Sequence, residues 1–153
     1  MEIKKIENKE LKRKIAKEIL DDLPGWFGDV ESKNEYIEDS LNLDFFACYL
    51  DDLPVGFLSL KENSVDTLEI DVIGVLSKYR NKGVGKKLIF YIFEYAKELG
   101  YSLLEVKTVA SGHYPEYDET NAFYKAMGFK SLEIIKELWA PHIPCQIYVK
   151  NIK

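Results

Sequence analysis

Asp66-Thr67-Leu68-Glu69-Ile70-Asp71-Val72-Ile73-Gly74-Val75-Leu76, running through Ser77-Lys78-Tyr79 into Arg80-Asn81-Lys82-Gly83-Val84-Gly85, is the stretch on which the fold turns. Acids set among β-branched residues predict a long strand over Asp66 to Leu76, and Ser77 to Lys82 reads as a polar turn. Val84, Leu88, Ile89, Ile92, Phe93, Ala96 and Leu99 then trace the apolar stripe of an amphipathic helix, with Gly100 to end it.

Upstream, Ile3 to Ile6 reads as a strand, and Asn8 as the cap of a helix with Leu11, Ile15, Ile19 and Leu23 four apart on one face. The breakers Pro24-Gly25-Trp26-Phe27-Gly28 follow, then Ser32 with Glu35 as a capping box for a short helix to about Leu43. Phe45 to Leu50 and Val55 to Leu60 are apolar runs around the hairpin punctuation Asp51-Asp52-Leu53-Pro54. Downstream come a strand over Leu103 to Val109, a short helix over Glu119 to Met127 stopped by Gly128, and two more strand-like runs. This order of elements predicts an α/β fold with helices on both faces of one sheet.

At 153 residues and 46% hydrophobic, residues 1–153 suit a single domain with one core. No run reaches the roughly 18 apolar residues of a membrane helix, so a cytoplasmic protein without membrane contact is expected. Cys48, Cys145 and two histidines lack metal-ligand spacing, which predicts core cysteines and no metal. The net charge of −5 argues against general binding to nucleic acid. Against that acidic balance, Lys78, Arg80, Lys82, Lys86 and Lys87 form a short basic run containing no acid, which points to one anionic ligand at one place.

The glycines permit a tight turn and close approach to the backbone, and a helix start offers amides and a positive dipole end to a phosphate. These six residues alone also fit an ordinary strand-to-helix loop with solvated lysines. A Rossmann fingerprint is excluded because Leu88 stands where its third glycine belongs, and no Gly-Lys-Ser/Thr completes a P-loop.

Arg80-Asn81-Lys82-Gly83-Val84-Gly85, with Val75 five residues upstream, resembles the Arg/Gln-x-x-Gly-x-Gly/Ala signature of the Gcn5-related N-acetyltransferase (GNAT) superfamily. Glu69 to Val75 resembles the strand of its histone-acetylating branch, and Asn121-Ala122-Phe123-Tyr124 with Met127-Gly128-Phe129 resembles its second conserved block. Leu23 to Gly28 is similar to a bacterial branch of small, single-domain acetyltransferases. The resemblance implies a mixed, mostly antiparallel sheet of about seven strands, splayed between the fourth and fifth.

It also implies acetyl-coenzyme A as co-substrate, without a metal. The pyrophosphate would lie on the amides of Lys82, Gly83, Val84, Gly85 and Lys86, with Arg80 and Asn81 shaping the turn. The pantetheine arm would run along the backbone at Ile73, Gly74 and Val75, and the Ile73 amide could bond the thioester carbonyl. Glu69 aligns with the family's general base, acting through water, and Asp71, two residues along the strand, is the substitute. Tyr124 would protonate the departing sulfur, Asn121 would bond the pantetheine arm, and Phe123 would lie beside it.

His113 could shuttle protons from its loop. Trp26 and Phe27 could line an acceptor slot. Asp21 to Asp44 carries eight acids and one lysine, which would attract a cationic small-molecule amine. A protein amino group as acceptor and a noncatalytic acyl-coenzyme A sensor are the competing readings. The resemblance allows a homodimer as partner.

Overall fold

A computed structural model describes residues 1–140 and 142–153. The elements run β1 (Glu2–Ile6), α1 (Lys9–Asp21), α2 (Val30–Ser40), β2 (Asp44–Leu50), β3 (Leu53–Glu62), β4 (Thr67–Val75), a 3-10 turn (Ser77–Tyr79), α3 (Val84–Glu98), β5 (Leu103–Val109), α4 (Pro115–Ala126), β6 (Lys130–Ala140) and β7 (Ile143–Asn151). The strand order in one seven-stranded mixed sheet is β1-β2-β3-β4-β5-β7-β6. Seven strands, four helices and the mixed α/β class agree with the reading of the sequence. Contacts divide the chain into two compact units, Met1–Lys61 with Ile70–Tyr95, and Glu62–Glu69 with Ala96–Lys153.

In the first unit β1 and β2, then β2 and β3, pair antiparallel. Asp51 and Asp52 both take positive φ, the conformation that a two-residue hairpin turn demands and that Asp tolerates better than most residues. Alternation along β2 sends Phe45 and Ala47 into a core with Ile15, Ile19 and Leu20 of α1. Phe46, between them, meets Tyr91 and Tyr95 of α3, so helices cover both faces of this part of the sheet. Phe45 stacks on Phe57 at 5.1 Å between ring centroids, and full burial of such a ring stabilises by about 1.5–3 kcal/mol.

Asn8 caps α1 as expected, its Oδ1 accepting from the Leu11 amide at 2.9 Å. The buried face of α1 is Lys12, Ile15, Ala16, Ile19 and Leu20, while Leu11, placed on that face by the four-residue spacing, is exposed. The spacing missed Lys12 because its stem can pack while its ammonium finds oxygen: Nζ donates to the carbonyls of Leu41 (3.3 Å) and Leu43 (2.8 Å), where α2 ends. Burial, the largest effect, lowers the pKa of Lys12.

The second helix starts earlier than its capping box implied. Asp29 is its N-cap, and Ser32 instead sits in the first turn and donates to the Asp29 carboxylate at 2.6 Å. In the second unit β5 pairs antiparallel with β7, and β7 with β6. There α4 begins at Pro115 rather than Glu119, because proline's missing N–H costs nothing at the first helical position. Leu99 lies beyond the end of α3 and is exposed.

Candidate active site

The basic turn belongs to the first unit. After β4 the chain makes the 3-10 turn, passes Asn81 at φ 59° and Gly83 at φ 84°, and enters α3 at Val84. The Lys87 amide donates to the Gly83 carbonyl at 3.0 Å, closing the first turn of the helix. Amides at helix positions before that bond have no carbonyl one turn back, so Val84, Gly85 and Lys86 present donors at the positive end of the dipole. A Cβ added to Gly83 would meet no atom within 4 Å, so this part of the backbone is open to an approaching group. Such a cradle fits a diphosphate.

The basic side chains are individually placed. Lys78 and Lys82 flank the Tyr79 ring, at 6.0 and 5.7 Å from its centroid, and Lys86 lies 5.5 Å from that of Phe90. Lys87 donates to the Met1 carbonyl. A groove lined by Ile3, Gly83, Lys86, Lys87, Phe90 and Tyr91 adjoins the turn.

Arg80 stacks on Trp26, with its guanidinium carbon 4.4 Å from the ring centroid. The Ser77 amide donates to the Asp22 carboxylate at 2.7 Å, and the Ser77 hydroxyl to the Asp22 carbonyl at 3.1 Å. The segment after α1 is therefore fastened to the turn at two points. The sequence suggests Trp26 for the acceptor slot and Arg80 for the turn; they stand 54 positions apart, and it gives no sign of their stacking. Phe27 packs edge-on against Tyr36 at 6.0 Å.

On β4, Asp71, Ile73 and Val75 alternate with buried Val72 and Gly74. A Cβ on Gly74 would come within 3.0 Å of Ile19 Cγ2 and 3.3 Å of Leu20 and Leu23 methyls. Glycine at this position lets α1 pack directly onto the strand. Lys61 Nζ lies 3.5 Å from the Asp71 carboxylate.

The second unit holds the remaining candidates. Glu69 is 4% exposed, and its Oε1 accepts from Lys107 Nζ at 2.6 Å and from Asn63 Nδ2 at 2.7 Å. Lys107 also pairs with Glu105 Oε2 at 2.9 Å. Burial disfavours the Lys107 charge, but the hydrogen bonds to Glu69 and Glu105 outweigh it and raise its pKa. Neither Lys107 nor Asn63 was singled out from the sequence. The available signal was Glu105 and Lys107 alternating with Leu104, Val106 and Thr108 along an otherwise apolar strand.

Tyr124 is buried among the rings of Phe123, Phe129 and Tyr148, at 5.6, 5.7 and 6.0 Å. Asn121 is also buried and works inside the fold. Its Nδ2 donates to the carbonyls of Val109 (2.8 Å) and Tyr117 (2.6 Å), and its Oδ1 accepts from the Tyr148 hydroxyl at 2.6 Å. It thereby ties α4 to β5 and β7. Burial raises the pKa of Tyr148, so its hydroxyl stays a donor at neutral pH. His113 is exposed in the loop before α4. Among the described residues no group of His, Cys, Asp or Glu could hold a metal ion, and no helix is long and apolar enough to cross a membrane.

The chain is 32% identical over 98 residues to an uncharacterised N-acetyltransferase of Methanocaldococcus jannaschii, a match covering 60% of this chain and 41% of that relative. It thus spans about two fifths of the relative's length. The fold superposes on the aminoglycoside 6'-N-acetyltransferase of Enterococcus faecium with a TM-score of 0.78, at 20% identity and over 100% and 98% of the two chains. For the ribosomal-protein-alanine N-acetyltransferase of Brucella melitensis the TM-score is 0.72, at 15% identity and over 99% of each chain. The sequence pattern of the acetyltransferase (GNAT) family extends over residues 13–129, which include the glycine turn and the acid-bearing strand, and the chain belongs to that family.

Proposed function

We propose that the protein transfers the acetyl group of acetyl-coenzyme A to a primary amine of a small, cationic molecule. The observation that carries this is the turn into α3, where Gly83 at positive φ leaves the backbone open beside the first helical amides. Acetyl-coenzyme A supplies an activated thioester. The amides of Lys82 to Lys86 bind its pyrophosphate, and Lys82 and Lys86 add charge. Ile73 N–H donates to the thioester oxygen, where negative charge develops as the amine nitrogen attacks the carbonyl carbon; one such preorganised donor is worth about 3 kcal/mol.

The attacking ammonium must first lose a proton. Glu69 accepts it through water, with Asp71 as the substitute. As the carbon–sulfur bond breaks, Tyr124 donates its hydroxyl proton to the sulfur, and bulk water restores it. Asn121 serves this step indirectly by holding α4, which carries Tyr124, against β5 and β7. Similarity to an aminoglycoside acetyltransferase and the acids between Asp21 and Asp44 support a small polycation as acceptor. Among those acids, Asp21 is already committed to Lys17 and Lys33, and Glu38 to Arg13. The similarity to a ribosomal-protein acetyltransferase supports a protein amino group as the second reading.

Free-thiol release from acetyl-coenzyme A against a panel of aminoglycosides, polyamines and amino-terminal peptides tests the reading. Release that requires an aminoglycoside or polyamine supports it. Release with peptides alone moves the acceptor to protein, and binding without release from any amine leaves a sensor.

A further inference from the structure

The base candidate Glu69 does not stand alone. It lies in a four-residue cluster of the second unit in which Asn63, from the connection between β3 and β4, and Lys107, from β5, both donate to the same oxygen, Oε1. Glu105 completes the cluster, accepting from Lys107 at 2.9 Å and from Asn63 at 3.2 Å. Two donors on one oxygen fix both the position and the plane of a carboxylate.

We infer that Lys107 and Asn63 are positioning residues for the proton acceptor: their two hydrogen bonds hold the Glu69 carboxylate in one place and orientation, so that it can take a proton from the incoming ammonium. This rests on the reading of Glu69 as base. Among the described residues of this unit, the charged and titratable groups around it include Lys107 and Glu105 on β5 and Cys145 on β7. The Cys145 thiol is neutral at working pH: burial pushes it up to about 11, with Lys107 pulling the other way and Glu69 and Glu105 adding to the rise. Glu62, nearby in sequence, accepts from the Tyr101 hydroxyl at 2.5 Å and is engaged elsewhere. Lys107 is a cation that donates to Glu69, and Asn63 is a neutral second donor.

The test uses the full chain as wild type, Lys107→Met, Lys107→Arg, Asn63→Ala and Glu69→Gln, with spermidine and kanamycin as probe amines. In the pH profile of kcat/KM, Lys107→Met should move the acid limb to higher pH by about one unit, roughly a tenfold loss on the acid side. Lys107→Arg should restore it, and Asn63→Ala should move it less. KM for acetyl-coenzyme A should stay within about twofold throughout, because none of these side chains belongs to the glycine turn. A purely structural ion pair would lower the melting temperature and the rate without moving the limb, and that result overturns the inference.

Two controls separate its failure from that of the wider reading. Should Glu69→Gln retain full rate while coenzyme A still binds, Glu69 is not the base and the inference falls with it. Should neither amine be turned over, a carbon-13 NMR titration of the Glu69 carboxyl decides. A midpoint raised in Lys107→Met and restored in Lys107→Arg supports the tether, and an unmoved midpoint refutes it.

Discussion

Replacing Gly83 with alanine separates what the turn does for the fold from what it does for a ligand. Gly83 holds φ 84°, where an L-residue costs about 1–2 kcal/mol, yet a new Cβ would touch nothing within 4 Å. The fold should lose that backbone cost alone, which for a chain of this size lowers Tm by roughly 3–6 °C. Binding should lose more. A methyl on the open side forces the pyrophosphate back from the amides, and losing one charge-assisted hydrogen bond costs about 1.5–3 kcal/mol, or about a 10- to 150-fold rise in Kd.

Gly100 provides the matched control. It has φ 90° and an equally open surrounding but stands beyond the far end of α3. Gly100→Ala should cost similar stability and leave affinity unchanged. Thermal melts by circular dichroism and calorimetric titration with coenzyme A measure the two quantities on the same samples. Equal affinity in both variants and wild type would refute the assignment of the turn as the cradle.

Trp26→Ala removes the ring beneath Arg80, a contact worth about 1 kcal/mol at a half-exposed site, and should raise Kd for coenzyme A by about fivefold in the same titration. Gly74→Ala should destabilise by about 1–3 kcal/mol in urea unfolding, since its Cβ would press on Ile19, Leu20 and Leu23. Because its pKa is raised on folding, Lys107 contributes stability in full below the ordinary lysine value and loses it as pH rises through the folded value. Melts taken on the alkaline side should therefore fall more steeply for wild type than for Lys107→Met. Cys48 and Cys145 are buried with raised pKa values, so neither should react with a thiol reagent near pH 8 until the chain is unfolded.

The glycine turn and its flanking strand and helix were legible because each rests on local physics: alternation in β4, positive φ at glycine, and apolar periodicity in α3. Boundaries failed where one local signal outcompeted another. Asp29 takes the cap in place of the box formed by Ser32 and Glu35, and Pro115 begins α4 a turn before Glu119. The candidate site was less legible than the fold because its partners come from distant segments. Nothing in the sequence joins Trp26 to Arg80, or Lys107 to Glu69. The motif that contains Asn121 is visible in the sequence, and its bonds to Val109, Tyr117 and Tyr148 are not.

Calorimetric titration of acetyl-coenzyme A into the purified chain tests the central claim most directly. The expected result is saturable binding at one site per chain, weakened at least tenfold by Gly83→Ala. An absence of binding at millimolar ligand would contradict it.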